Sequence, residues 1–269
     1  MPEALLDGVR AIAVLRPNAV GDFVFALPAL HALKDAYPGA RIIYIGRQWH
    51  AEFLHDRPGP VDEVRVIPPC PGVGMPPGQA CDERAIDAFV ASLRAQGIDL
   101  ALQIYGGGRY SNPFIRRLGA RLAVGLKAED AEPLDRWIAY APLQNRRLQL
   151  LEAAALAGAQ RLRLERELAV TARDRREAAQ AVALPDDAPL VLLQPGSSDA
   201  RRRWPAQSFA RMADVLAGDG AAIAVHGTAA EADIVREVIG RMRHPALDLS
   251  GRLSLSALCG LLECSALLV

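Results

Sequence analysis

The sequence predicts an α/β fold in which parallel sheets carry helices on both faces. Three observations predict it. Residues 10–16 and 41–46 are short runs with continuously apolar centres, the pattern of strands buried on both faces. Each leads into a turn-rich segment or a helical pattern, and strand–helix–strand alternation implies parallel pairing. The alternation lapses between residues 165 and 185 and then restarts. Two units are therefore expected, over residues 1–170 and 171–269, and a chain of 269 residues is comfortable for two domains.

The elements follow in order. After the first strand comes the turn Arg16-Pro17-Asn18-Ala19-Val20-Gly21-Asp22, then residues 23–37 with Leu27, Leu30, Leu33 and Ala36 at helical spacing. Pro28 would clash in a helix interior, so the main helix is expected to begin there. Residues 64–67 and 100–105 read as further strands, and residues 68–78 are too rich in Pro and Gly for regular structure. Residues 82–96 form a helix with Ile86, Phe89, Val90 and Leu93 on one face, and 146–157 form another. A short strand is expected at 168–171 and a charged helix at 173–183, ending before Leu184-Pro185-Asp186-Asp187. The second unit reads as strands at 191–193, 221–226 and 247–249, with helices at 205–216, 231–242 and 254–264. Leu267-Leu268-Val269 opens a strand at its third residue, so the sequence is expected to be a fragment with an incomplete second domain.

Composition narrows the function. Apolar residues make up 51% and charged residues 23%, as in a globular protein rather than a disordered one. Lys+Arg and Asp+Glu both total 31, whereas a nucleic-acid-binding surface normally shows as a basic excess, so no nucleic-acid partner is expected. Cys70, Cys81, Cys259 and Cys264 form no CxxC pair and have no His at zinc spacing; free thiols in a reducing compartment and no metal are the expectation. The opening residues lack the basic and apolar regions of a signal peptide. No apolar run approaches the roughly 20 residues that span a bilayer. A cytoplasmic protein is expected.

Three turns could carry chemistry. Asp22 follows the first strand, at the end of a parallel sheet where ligands bind. It could cap the next helix or serve as a general base, ionised at neutral pH and able to take a proton from an alcohol. On the residues alone the cap is the favoured role. The second turn is Gln194-Pro195-Gly196-Ser197-Ser198, continued by Asp199-Ala200-Arg201-Arg202-Arg203. Gly196 permits close backbone approach, hydroxyls and free N–H groups suit phosphate oxygens, and arginines add charge beside a helix N-terminus. A solvated basic loop is the plainer alternative. The third is Gly227-Thr228-Ala229-Ala230-Glu231, where Thr228 and Glu231 have the spacing of a capping box, favoured on spacing over a ribose contact. No GxGxxG follows the first strand and no GxxxxGK[ST] occurs; Gly106-Gly107-Gly108 lacks the dinucleotide spacing. Neither HExxH nor GxSxG is present.

Taken together, these turns resemble a known family. LRPNAVGDFVFALPALHALKDAYPGARIIYIG is similar to the opening of glycosyltransferase family 9, the lipopolysaccharide heptosyltransferases. QPGSSDARRRWPAQSFARMADVLAGDGAAIAVHGTAAEADI resembles the start of that family's nucleotide-binding half, and GRLSLSALCGLLECSALLV its next segment. The resemblance implies a GT-B fold: two Rossmann-like domains facing across a cleft, the first binding acceptor and the second the nucleotide sugar. It implies an inverting, metal-independent and cofactor-free transfer of heptose from an ADP-heptose to a lipid-linked lipopolysaccharide core acceptor. That acceptor would bring the protein to the inner face of the cytoplasmic membrane without an anchor of its own. By position, Asp22 matches the catalytic base, Ser197 and Ser198 the donor-phosphate hydroxyls, and Arg202 the residue that steadies the leaving diphosphate. Glu231 matches a ribose contact and the backbone around Leu253 the adenine pocket. Gln194 and Arg202 stand where His and Lys are commoner, and the family continues with an Asp-Thr/Ser-Gly-x-x-His segment where this sequence stops. Two alternatives stay open: a non-catalytic nucleotide or nucleotide-sugar binding module, and a GT-B enzyme using another sugar nucleotide.

Overall fold

The computed structural model describes residues 4–161, 168–183, 188–197 and 199–269, and the chain divides into two compact units at residues 169 and 170. The first unit runs β1 (Ala11–Leu15), α1 (Val20–Ala36), β2 (Arg41–Gly46), α2 (Gln48–Leu54), β3 (Glu63–Val66), the two-residue strands β4 (Cys70–Pro71) and β5 (Gly74–Met75), α3 (Glu83–Arg94), β6 (Leu100–Gln103), α4 (Ser111–Arg116), β7 (Leu122–Lys127), β8 (Arg136–Ala139) and α5 (Arg146–Ala155). The second runs α6 (Ala172–Ala181), β9 (Leu190–Leu193), α7 (Ala206–Gly218), β10 (Ala222–Gly227), α8 (Ala232–Arg241), β11 (Leu247–Ser250), α9 (Leu255–Cys264) and β12 (Leu267–Leu268).

Both units are built on parallel sheets. The first has strand order β3-β2-β1-β6-β7-β8, with Ile12 of β1 paired to Ile42 on one side and Leu100 on the other. The chain moves outward from β1 to β3 and then returns to β1's other side as β6. The direction of winding therefore reverses between β1 and β6, which opens a crevice at their C-terminal ends. The second sheet has order β11-β10-β9-β12 and reverses between β9 and β12. Along β9 the buried side chains alternate. Val191 and Leu193 join Phe209 of α7 and Val235 of α8, while Leu190 and Leu192 join Ala178 of α6 and Leu261 of α9. Helices thus cover both faces, as the continuously apolar strands require. Among the described residues no helix is long and apolar enough to cross a membrane.

Several elements differ from the sequence expectation. α1 does not begin at Pro28; it begins at Val20 and carries the buried Pro28 in its interior. An interior proline costs about 3 kcal/mol. Burial of Phe23, Leu27, Leu30 and Leu33 offsets this at about 1.5–3 kcal/mol per side chain. Residues 168–171 are no strand, because Thr171 caps α6: its Oγ1 accepts from Asp174 N–H at 3.2 Å and its own N–H donates to Asp174 Oδ2 at 2.8 Å. Leu184–Asp187, expected to terminate that helix, lie outside the described residues. The sequence reading also missed α2, α4, β7 and β8. β7 contains Gly125, where a side chain would stand 2.3 Å from the Gln103 carbonyl oxygen. A strand glycine demanded by close backbone approach weakens the local strand signal.

One buried polar group in the first unit has a measurable consequence. The His50 ring is fully buried, stacked on Trp49 at 3.6 Å between centroids and edge-on to Phe23. Its Nδ1 accepts the Arg47 N–H at 2.9 Å, and burial pushes its pKa from 6.5 down to about 3. The unfolded chain therefore takes up this proton first as pH falls. The stability linked to neutral His50 is present above 6.5 and is lost as pH falls through about 3. His50→Gln is expected to flatten the unfolding free energy between these pH values by up to about 1.4 kcal/mol per pH unit, measured by urea denaturation at stepped pH.

Candidate active site

The crevice of the first sheet is organised around Arg16, the residue directly after β1. It is 2% exposed. Its Nε donates to the Asp22 carbonyl at 2.9 Å, Nη2 to Asp22 Oδ1 at 2.9 Å, and Nη1 to the carbonyl of Ile104 just beyond β6. The Arg16 carbonyl accepts the Tyr44 phenol at 2.8 Å, and its N–H donates to Ile45 at 3.2 Å. One residue thus ties the first turn of α1 to the ends of β2 and β6. Burial lowers the guanidinium pKa and the Asp22 charge opposes that shift, while burial raises the pKa of the Tyr44 phenol.

Asp22 is not the helix cap. The N-cap is Ala19, which has no side-chain acceptor, and Asp22 is the third residue of α1. There its Oδ1 faces Arg16 instead of the helix N–H groups, and the side chain stays 38% exposed. Oδ2 has no hydrogen-bond partner among the described residues. The result is a carboxylate fixed by one oxygen and accessible at the C-terminal edge of the sheet, an arrangement suited to accepting a proton.

The second unit brings the other candidate positions to one sheet edge, in the turns after β9, β10 and β11. Gly196 packs directly on Glu231: a Cβ built at Gly196 would lie 2.2 Å from Glu231 Oε1. Glu231 Oε2 accepts from Thr228 N–H at 2.8 Å and Thr228 Oγ1 at 2.9 Å, so it acts back on the start of its own turn. Its Oε1 faces the Gly196 turn. The Gly251 N–H donates to the Gly227 carbonyl at 2.9 Å, joining the ends of β10 and β11, and half-buried Leu253 follows before Ser254 caps α9.

The arginine run divides its roles. Arg201 forms a bidentate pair with Asp199, at 3.0 and 2.8 Å, which holds that carboxylate below its usual pKa. Arg203 clamps the Ser197 carbonyl through Nε at 2.9 Å and Nη2 at 2.7 Å. Arg202 lies in the turn Ala200–Arg202 with its side chain 68% exposed and its Nε 4.0 Å from Asp199. Three arginines therefore do not point at one anion; two shape the turn. Ser197 is half-buried within it, and Ser198 lies outside the described residues. Sequence reasoning missed Arg16 and Arg203 as the side chains that hold these turns. A signal for Arg16 existed, since a charge directly after a fully buried strand needs acceptors nearby.

With this geometry in view, comparison with known proteins identifies the family. The profile of glycosyltransferase family 9 (heptosyltransferase) matches residues 86–269. The chain belongs to glycosyltransferase family 9. This glycosyltransferase is similar in fold to the family 9 glycosyl transferase of Veillonella parvula, at 18% identity and a TM-score of 0.82, covering 96% of this chain and 74% of that one. It is also similar to E. coli ADP-heptose lps heptosyltransferase II, at 17% identity and 0.77, covering 97% and 78%. E. coli heptosyltransferase WaaC with ADP follows at 17% identity and 0.66, covering 96% and 80%. No curated protein matches the sequence. The family 9 enzyme thus has the α/β architecture of GT-B glycosyltransferases, with a parallel sheet of six strands and one of four.

The contact between Gly196 and Glu231 is testable. Gly196→Ala must displace the Glu231 carboxylate and loosen its bonds to Thr228, an expected cost of about 1 kcal/mol. In a Glu231→Ala background the same change is expected to cost much less, because the atom it strikes is gone. Thermal unfolding of the four-member cycle measures the coupling.

Proposed function

We propose that this glycosyltransferase moves a heptose from an ADP-heptose to a sugar hydroxyl of a lipid-linked glycan, with inversion at the anomeric carbon and without a metal. The observation that carries the reading is the Asp22 carboxylate, fixed through Oδ1 by buried Arg16 and open at Oδ2. As the acceptor oxygen bonds to the anomeric carbon, Oδ2 takes its proton. The bond from that carbon to the diphosphate breaks, and ADP leaves from the opposite face. The negative charge that builds on ADP needs fixed positive partners. Arg202, the Ser197 turn with Ser198, and the N-terminus of α7 are assigned that role. Glu231 Oε1 is assigned to ribose hydroxyls and the backbone near Leu253 to adenine. The adenine nucleotide is supported by family membership and by the ADP bound in the E. coli WaaC structure. On this reading the first unit binds acceptor and the second binds donor, and the acceptor alone brings the enzyme to the cytoplasmic membrane surface.

Asp22→Asn keeps an acceptor for Arg16 but cannot take the proton, so transfer is expected to fall by about 10²–10⁴-fold with ADP affinity unchanged. Undiminished turnover removes Asp22 as the base. In calorimetric titration, ADP is expected to bind in preference to UDP, GDP and NADH. Arg202→Ala is expected to weaken ADP by roughly tenfold while leaving adenosine unaffected; equal loss for both places Arg202 away from the diphosphate.

A further inference from the structure

The first unit holds a cavity of about 310 Å³ at the C-terminal ends of β6, β7 and β8, and Asp22 does not line it. Its lining combines two unusual features. Tyr105, Tyr110 and Tyr140 supply aromatic surface, although the whole chain has only 5 tyrosines. Between them runs Gly106-Gly107-Gly108, the glycine run that matches no nucleotide motif. Packing leaves no room for a side chain at Gly107 or Gly108, and Gly106 has a positive φ of 60°. A Cβ on Gly107 would stand 2.7 Å from the Ala128 Cβ and 3.4 Å from the Tyr140 ring, and one on Gly72 would stand 2.2 Å from the Tyr110 ring.

The rings are held in place. Tyr105 accepts the Gly74 N–H at 3.1 Å, while Arg109 and Arg146 guanidinium groups sit 5.4 and 5.1 Å from the Tyr110 and Tyr140 ring centroids. The charges that line the cavity cancel, because Arg109 pairs with Asp130 at 3.3 Å. The neighbouring cations are also engaged. Arg146 bonds Gln149 and, at 3.4 Å, the Tyr140 oxygen; Lys127 bonds the Ala128 carbonyl at 3.2 Å and lies 5.0 Å from the Trp137 centroid. A flat apolar wall with a neutral polar rim fits a ligand that has C–H faces and hydroxyl edges.

The site also adjoins the Asp22 turn. Arg16 bonds the Ile104 carbonyl, directly before Tyr105. Arg47 bridges from the Pro17 carbonyl at 2.7 Å to the Gly74 carbonyl at 2.8 Å, and Gly74 in turn bonds Tyr105. We propose that this cavity binds an uncharged sugar ring of the acceptor glycan, stacked on Tyr110 or Tyr140, a role that rests on the transfer reading above. The cavity volume is at the small end of ligand pockets, roughly 300–1,000 Å³, and suits a short stretch of glycan.

Saturation-transfer NMR on the full chain tests this without turnover. The probes are methyl glycosides of glucose, galactose, mannose and a heptose, against glucuronate and glucose 6-phosphate. Saturation is expected on at least one neutral glycoside, reduced by about fivefold or more in Tyr140→Ala and retained in Tyr140→Phe. Tyr110→Ala, at a position 39% exposed, supplies the second variant should Tyr140→Ala fail to fold. No saturation of any neutral glycoside, signals confined to the two acids, or signals unchanged in both alanine variants overturns the proposal. ADP titrated into the same samples separates the two readings. Sugar binding without ADP binding supports this site while removing the donor assignment, and ADP binding without sugar binding removes this site alone.

Discussion

The arrangement of the first unit depends on burying the Arg16 guanidinium. A buried cation is costly unless its N–H groups meet acceptors, and an opposite charge offsets much of the remainder. Here the acceptors are the carbonyls of Asp22 and Ile104 and the carboxylate of Asp22. To supply them, α1 must start close to the end of β1, and β6 must lie beside β1. The interaction therefore sits where the strand order reverses and holds that crevice in one geometry. It also decides which oxygen of Asp22 is committed and which faces solvent.

The second unit reaches a comparable edge by other means. Its turns are held by backbone contact and capping, with Gly196 against Glu231 and Arg203 on the Ser197 carbonyl. Charge is thus divided between shaping the turn and facing outward. Arg201 with Asp199 and Arg203 with Ser197 are internal to the loop, which leaves a narrower electrostatic role than three adjacent arginines suggest. The same economy applies to Glu231, whose Oε2 serves the Thr228 turn while its Oε1 meets Gly196. A single carboxylate can support a turn and present an oxygen to a ligand.

Much of the second unit was legible because its elements are short, regular and cleanly punctuated. Ser254 precedes α9 and accepts from Ala257, and Asp199 opens its turn by accepting from Arg201, as side chains of these types do. The middle of the first unit was not legible. β8, Arg136–Ala139, has only half-buried and exposed positions, and Gly125 interrupts β7. Pro28 misled for a related reason. Local rules assign the proline its cost but cannot see the sheet surface that α1 covers.

The sequence by itself determined the parallel α/β class, the division into two units, and the turns that reach the sheet edges. These follow from periodicity and turn chemistry, which are local in the chain. It also carried three ordered motifs specific enough to indicate the family. Only the tertiary structure decided that Asp22 pairs with Arg16 and does not cap α1, that two of three arginines serve the loop, and that three tyrosines meet over a glycine run. The arginine contacts are local in the chain, but the burial of Arg16 and the arrival of Tyr140 depend on strand order, which brings Arg16 to Ile104, 88 residues apart. A carboxylate's choice between a helix N–H and a buried guanidinium is settled by the charge that folding buries beside it.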